Sequence, residues 1–198
     1  MPSLQWIEPV VRDARARAPE AADLPVVVVR VDEQRLYLWQ DGGVSDIYDV
    51  STSEHGVGHE DGTFRTPTGL HRIARRIGDG APAGTVFRGR ANTGEVADIL
   101  TGPDERSEGD HITSRILWLE GLEPGVNRGG TVDSFARYIY IHGTDEEGRI
   151  GTPASIGCVR MRNDEVIELF PRLPEGSLVQ IIEGPGQHTG STLQRGAE

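Results

Sequence analysis

The only cysteine of the chain, Cys158, lies sixteen positions after His142. The residues before the histidine, YIYI, predict a strand that ends at His142 and holds its imidazole in place. The loop that follows can fold back and bring the thiol within hydrogen-bond distance of the imidazole, which makes thiolate, the nucleophilic form of cysteine, available near neutral pH. Because single cysteines and strand-end histidines are more often structural than catalytic, this spacing alone leaves both interpretations open.

Gly157 directly precedes the cysteine. Since glycine has no Cβ, a substrate carbonyl has room to approach the backbone there, and the amide groups of Ile156, Gly157 and Cys158 can converge on a developing oxyanion. The imidazole nitrogen that faces away from the thiol needs an acceptor, and the carbonyl of Gly143 is a candidate. These types of residue predict acyl transfer, with Cys158 as nucleophile and His142 as base.

Several segments resemble the signature of the YkuD-type L,D-transpeptidases. The chain has HGT at 142–144 and PASIGCVRM at 153–161, similar to the His-Gly and Ser-His-Gly-Cys-x-Arg elements of that family. The TPTG turn at 66–69 resembles the TPxG turn of the family, and residues 162–182 resemble its closing helix and strand. The resemblance covers about residues 26–182.

The resemblance implies a mainly β fold of two packed, mostly antiparallel β-sheets, a YkuD-like β-sandwich, with a short helix after the nucleophile loop. It implies a substrate, the tetrapeptide stem of peptidoglycan or of a soluble muropeptide, and no cofactor or metal. In the family the cysteine attacks the carbonyl at the L-configured centre of the third, diamino-acid residue and expels the terminal D-Ala. The acyl group then passes to an amine, giving a cross-link, or to water, as in an L,D-carboxypeptidase.

One position departs from the family pattern, because Ile156 stands where the family commonly has histidine. A backbone N–H remains at this position, so an oxyanion site built from the main chain is compatible with isoleucine. A second imidazole for substrate contact or proton transfer is lost, and reduced or altered activity follows. A non-catalytic binder of peptidoglycan fragments is therefore kept as an alternative.

Ser155, Arg160 and Tyr140 are the candidates for substrate binding. Arg160 can pair with a substrate carboxylate or brace the nucleophile loop through a bidentate contact, and bracing is favoured. Ser155 can contact substrate or orient the loop. Tyr140 can line the cleft, although strand tyrosines more often pack in the core.

The elements that must position these residues are short strands joined by turns, as the 26 Gly and 12 Pro indicate. Apolar, β-branched or aromatic runs predict strands at 26–31, 36–39, 47–50, 70–77, 116–119, 138–141 and 177–182. Asn163 is predicted to cap a short helix that Pro171 stops.

One catalytic domain is predicted at 25–183, between an N-terminal appendage at 1–24 and a flexible tail at 184–198. Residues 78–110 are rich in Gly, Ala, Asp and Glu with weak periodicity, which indicates a long loop or a lid over the site.

The formal net charge is −11, and every basic residue is arginine. Because the chain has no lysine, a Ser-Lys dyad, a lysine Schiff base and a P-loop are excluded. The acidic balance argues against nucleic acid as a partner, and no apolar stretch is long enough for membrane insertion.

The first twenty residues lack the uninterrupted apolar segment of a secretory signal. The chain as written is therefore expected in the cytoplasm, and in the periplasm if a leader has been removed. A cytoplasmic location favours an L,D-carboxypeptidase of muropeptide recycling, because soluble muropeptides and water are abundant there.

Two other chemistries fit the sequence less well. His55 and His59 have the spacing of a metal pair on a helix, but Gly56 and Gly58 disfavour a helix, so no metal site is expected. A papain-like protease has its cysteine early and its histidine late, the reverse of the order in this chain.

Overall fold

The computed structural model describes residues 4–184, which form a mainly β fold, as predicted. The strands are β1 (Val26–Arg30), β2 (Arg35–Gln40), β3 (Gly43–Asp49), β4 (Gly69–Ile77), β5 (Thr85–Arg88), β6 (Ala91–Val96), β7 (Ile112–Gly121), β8 (Tyr140–Thr144), β9 (Val159–Met161) and β10 (Leu178–Ile182). The α-helices are α1 (Ile7–Arg17) and α2 (Asn163–Leu169). The predicted tail lies almost wholly outside the described residues. Within 4–184, neither helix has the length and apolar character needed to cross a membrane.

The strands are joined by hydrogen bonds into one continuous network that folds over into two layers. One layer has the order β3-β2-β1-β10-β4-β7-β5-β6, and the other consists of β8 and β9, which branch from β7. All pairs are antiparallel except β1 with β10 and β8 with β9. The long strand β7 serves both layers because it pairs with β4 along one edge and with β8 along the other.

Apolar side chains from the two layers meet in the main core. Val27 and Val29 of β1 share one buried cluster with Ile141 of β8 and Val159 of β9, and Val166 of α2 packs against them. All five are fully shielded from water, and burial of each contributes about 1.5–3 kcal/mol. Because side chains alternate along a strand, the intervening residues of β8 and β9 point away from this core.

The segment 78–110, predicted to be a long loop or lid, contains the β5–β6 hairpin. Its turn residues Gly89 and Arg90 both have positive φ, as two-residue hairpin turns commonly require. No alternating pattern marks this hairpin in the sequence, because every residue of β6 is exposed or half-buried.

Helix α1 packs on the sheet through an apolar stripe. Ile7, Val10, Val11 and Ala14 are buried in a second cluster with residues of β1 and β10. These positions follow the i, i+3, i+4, i+7 pattern of an amphipathic helix. The expectation of a surface appendage missed this packing, although the boundary at residue 25 stays a prediction.

Strand β8 differs from its prediction in a way that matters for the site. The strand begins at Tyr140, because Tyr138 has a φ of +57° and lies in a turn. It continues past His142, since Gly143 and Thr144 still pair with β7. His142 is therefore held in the interior of a strand, and not at its end.

Candidate active site

The parallel pairing of β8 and β9 brings the predicted nucleophile and base to the same face. His142 pairs with Arg160, and the same register, continued two residues earlier, places Tyr140 beside Cys158. Residues paired in register, and residues two apart on a strand, point to the same side of a sheet. The side chains of Tyr140, His142, Cys158 and Arg160 therefore share the face opposite the main core.

Cys158 and His142 both line a cavity of about 370 Å³. The other walls come from the 61–64 loop, the β5–β6 turn, the start of β7 and the segment before β8. The remaining lining residues are Asp61, Gly62, Phe64, Gly89, Arg90, Asp110, Ile112, Arg137, Tyr138, Ile139, Tyr140 and Ile156.

His142 is held in the tautomer that a general base requires. Its Nδ1 donates to the carbonyl oxygen of Gly143 at 2.7 Å, the contact that the sequence suggested. Because Nδ1 carries the proton in this bond, Nε2 is left as an acceptor. Burial lowers the pKa of the imidazole below its ordinary value, against a smaller opposing effect of the Asp110 carboxylate, so the ring is neutral at pH 7.

The Cys158 thiol is half-buried and protonated in this resting arrangement. Burial raises the pKa of the thiol to about 12, and the nearby guanidinium groups of Arg137 and Arg160 offset only part of this rise. Within residues 4–184, the hydrogen bonds of Sγ run to the Tyr138 carbonyl at 3.4 Å and from the Tyr140 amide at 3.3 Å. The expected hydrogen bond between thiol and imidazole is not formed. Such contacts often close only when substrate binds.

Gly157 and Gly143 need to be glycine for two different reasons. Gly157 has a φ of +131°, which L-residues rarely adopt, but a Cβ there meets its nearest atom at 3.4 Å. A Cβ on Gly143 would lie 2.7 Å from both the Thr113 carbonyl and Asn163 Oδ1. Gly143 is therefore required for close packing and Gly157 for its backbone conformation, while room for a substrate carbonyl at Gly157 stays a prediction.

The predicted oxyanion donors are only partly available. The Gly157 amide donates to Ser155 Oγ at 3.2 Å, and this hydroxyl in turn donates to the Cys158 carbonyl at 2.6 Å. The amide of Gly157 is thus used inside the loop, and the amides of Ile156 and Cys158 stay as candidates. The side chain of Ile156 is 51% exposed at the cavity.

The TPTG turn at 66–69, for which the sequence suggested no role, supports residues 155–158, the loop that carries the proposed nucleophile. Thr66 Oγ1 donates to the Gly157 carbonyl at 3.0 Å and accepts from the Ser53 amide at 3.0 Å. The Ser155 amide binds the Thr52 carbonyl at 2.9 Å. Residues 51–66 therefore support this loop through hydrogen bonds.

All three predicted substrate contacts are buried, and Tyr140 is 3% exposed. Arg160 is 1% exposed and its Nη1 donates to Asp110 Oδ1 at 2.9 Å and to Glu146 Oε2 at 3.1 Å. Ser155 is fully buried and bonds within the loop. Both residues brace the site, as was favoured for Arg160, and of the three only Tyr140 lines the cavity. A contact of any of the three with substrate stays a prediction.

Asn163 is not the helix cap that the sequence predicted, because Arg162 occupies that position. Its Nδ2 donates to the Thr144 carbonyl at 2.8 Å, and its Oδ1 accepts from Thr113 Oγ1 at 2.6 Å. Asn163 thereby ties the end of β8 to β7 beside the His142–Gly143 element.

Four charged cavity residues were missed by the sequence analysis: Asp61, Arg90, Asp110 and Arg137. They come from turns and irregular segments, where no periodic pattern marks a residue as facing a site. The segment 78–110, which was interpreted as a loop or a lid over the site, contains Arg90 and Asp110. The segment with His55 and His59 is not helical, so the spacing argument for a metal pair does not apply.

A family model described as YkuD, L,D-transpeptidase catalytic domain, matches residues 25–181. Over 165 residues the chain is 30% identical to the probable L,D-transpeptidase ErfK/SrfK of Salmonella typhimurium, covering 80% of this chain and 44% of that protein. Over 43 residues it is 49% identical to the putative L,D-transpeptidase YqjB of Bacillus subtilis, covering 22% of this chain and 24% of that protein. The chain thus spans less than half the length of these curated relatives. Among solved structures, L,D-transpeptidase 3 from Mycobacterium tuberculosis, in complex with a faropenem-derived adduct, aligns with 80% of this chain and 60% of its own at 13% identity and a TM-score of 0.48.

Proposed function

The chain belongs to the YkuD family of L,D-transpeptidase catalytic domains, and from this premise we propose that it transfers the acyl group of a peptidoglycan tetrapeptide stem through Cys158. The observation that carries the proposal is the shared cavity of Cys158 and His142, in which Gly143 fixes the imidazole as a neutral acceptor. A thiol and a general base facing one pocket are the minimal requirement for nucleophilic acyl transfer.

In the proposed first step, His142 Nε2 takes the thiol proton while Sγ attacks the carbonyl carbon of the third stem residue. The carbonyl oxygen becomes an oxyanion, for which the amides of Ile156 and Cys158 are the proposed donors. When the tetrahedral intermediate collapses, the bond to the D-Ala nitrogen breaks and His142 returns the proton to that nitrogen. The products are a thioester on Cys158 and free D-Ala.

The second step depends on the acceptor that attacks the thioester. An amine forms a new amide bond and a cross-link, and water releases a tripeptide. We propose that location decides between them. In the cytoplasm soluble muropeptides and water make the chain an L,D-carboxypeptidase, and outside the membrane an amine of a neighbouring stem gives transpeptidation.

The test is the release of D-Ala from a disaccharide-tetrapeptide, followed by mass spectrometry with and without an added amine acceptor. We expect Cys158→Ala to lower the rate by about a thousandfold or more, because no other group of the cavity can form the covalent intermediate. Circular dichroism serves as the control for folding. An unchanged rate in a folded variant refutes the proposal.

A non-catalytic binder of peptidoglycan fragments is the second candidate. It is favoured by Ile156, where the family commonly has histidine, and by the missing contact between thiol and imidazole. A carbapenem, which acylates the cysteine of many family members, separates the two. A covalent adduct on Cys158 supports the enzyme, whereas bound stem peptide without any adduct supports the binder.

A further inference from the structure

Arg90, at the turn of the β5–β6 hairpin, presents a guanidinium group to the cavity that holds Cys158. Aromatic rings fix its position, since its Cζ lies 4.8 Å from the ring centroids of both Trp118 and Tyr138. Nη1 donates to the Tyr140 hydroxyl at 3.4 Å. A guanidinium held in this way by cation–π contacts loses little freedom when it binds an anion.

Most of the hydrogen-bonding capacity of Arg90 is unused. Among residues 4–184 it forms no ion pair, and its contacts with the phenol groups of Tyr140 and Tyr138 leave most of its five N–H donors for a ligand. Arg137, the other cationic wall residue, already donates to the carbonyls of Arg65 and Gly58. Arg160 is buried against Asp110 and Glu146. Arg90 is therefore the cavity cation that can offer a bidentate fork to a carboxylate.

Tyr140 fixes the separation between this cation and the nucleophile. Its backbone amide contacts Cys158 Sγ at 3.3 Å, whereas its hydroxyl, at the far end of the side chain, contacts Arg90. A carboxylate bound by Arg90 therefore lies about one tyrosine side chain away from the attacked carbonyl. The carboxylate of the terminal D-Ala is too close to that carbonyl, because only the backbone of one residue separates them.

We propose that Arg90 binds a carboxylate at the far end of the diamino-acid side chain, so that the chain selects stems whose third residue ends in a free carboxylate. This inference rests on the proposed function, since it takes the carbonyl of that same residue as the group attacked by Cys158. The side chain leaves the residue that carries the attacked carbonyl and extends away from it over several carbon atoms, as the separation of Sγ from Arg90 along the Tyr140 side chain requires. A third residue ending in an amine alone, or in an amide, leaves the guanidinium without its anion.

The experiment compares kcat/KM for D-Ala release from three tetrapeptide stems. One has a free distal carboxylate on the diamino acid, one is amidated there, and one is amidated instead on the second residue. We expect the wild type to prefer the first stem over the second by about tenfold to hundredfold, the range of a charge-assisted pair. In Arg90→Gln this ratio falls to about one, while amidation of the second residue has the same effect in both proteins.

Arg88→Gln is the matched control, because Arg88 lies on the same hairpin but pairs with Glu95 outside the cavity. It is expected to keep the preference. If Arg90→Gln retains the ratio, or loses activity equally on all three stems, the inference is overturned and the proposed function stands.

Calorimetric binding of the same stems to Cys158→Ala and to Cys158→Ala combined with Arg90→Gln separates the two hypotheses. If wild type releases no D-Ala but the binding preference depends on Arg90, catalysis is excluded and the carboxylate site holds. Equal binding of all stems to both proteins overturns the carboxylate site whatever the rates are.

Discussion

At Cys158 and His142, burial acts on the two ionisations in opposite directions. Loss of water raises the pKa of the thiol to about 12 and lowers the pKa of the imidazole. Both shifts favour the neutral forms, so the free enzyme holds a thiol and an imidazole, and not a thiolate–imidazolium pair. Proton transfer then accompanies attack on the substrate, as in general-base catalysis.

This arrangement predicts the pH dependence of acylation. The base must be neutral, and its folded-state pKa is below 6.5, so the rate rises with pH along an acidic limb that lies below 6.5. Above that limb we expect a plateau to about pH 9, because the thiol ionises only near 12. The measurement is the rate of carbapenem adduct formation from about pH 5 to about pH 9.

Circular dichroism over the same range controls for acid unfolding. An acidic limb clearly above 6.5 would show that the group titrating there is not an imidazole of lowered pKa. A bell-shaped profile with a fall before about pH 9 would show that the active form is a thiolate–imidazolium pair.

How well single residues could be predicted depended on whether their role is local. Cys158 and His142 were proposed as nucleophile and base from short motifs, and the hydrogen bond from His142 to Gly143 joins adjacent residues. Arg90 and Arg137 reach the cavity only through tertiary packing of turn segments, and their sequence surroundings carry no pattern.

At the scale of elements, the loop that carries the nucleophile depends on the backbone conformation at Gly157. Its φ of +131° directs the chain from Ser155 to Cys158. Thr66 donates a hydrogen bond to the Gly157 carbonyl, and Ser155 donates one to the Cys158 carbonyl. Any L-residue at this position must strain the backbone or move the thiol.

We therefore predict that Gly157→Ala lowers the unfolding free energy by about 1–3 kcal/mol and the acylation rate by about tenfold or more. The matched control is Gly42→Ala in the β2–β3 turn, where φ is +84° and no atom lies within 4 Å of the position that the added methyl group would take. It should cost similar stability, measured by urea unfolding, and leave the rate unchanged. Equal rates in both variants would mean that the loop tolerates a different backbone path.

Element prediction succeeded where one face is buried and failed where none is. Apolar runs predicted the strands at 36–39 and 47–50, and Asp41 and Gly42 between β2 and β3 have the positive φ of a tight turn. Strand β6 has no buried face, and its residues carry no strand pattern. The extension of β8 to Thr144 depends on pairing with β7, which no local sequence pattern indicates.

For the molecule as a whole, the net charge differs from the charge at the cavity. The chain carries a net charge of −11, yet at the cavity Arg90 and Arg137 balance Asp61 and Asp110. The pocket is therefore less acidic than the chain as a whole, which favours an anionic ligand there over binding elsewhere. The helix α1 packs together with the sheet, because its apolar stripe covers one face of β1 and β10.

The packing of α1 predicts that residues before 25 contribute to global stability. Ile7 is fully buried in the second cluster, so Ile7→Ala should lower the unfolding free energy by about 2–5 kcal/mol in a single cooperative transition. Arg12→Ala, on the exposed face of the same helix, should change it by about 0.5 kcal/mol or less. Urea unfolding followed by tryptophan fluorescence measures both, since Trp6 contacts the ring of Tyr37 on β2. If the two variants are equally stable, the helix unfolds independently, and the domain begins at residue 25 as the sequence predicted. A large difference places the boundary ahead of α1, because a side chain that stabilises the whole fold must unfold together with it.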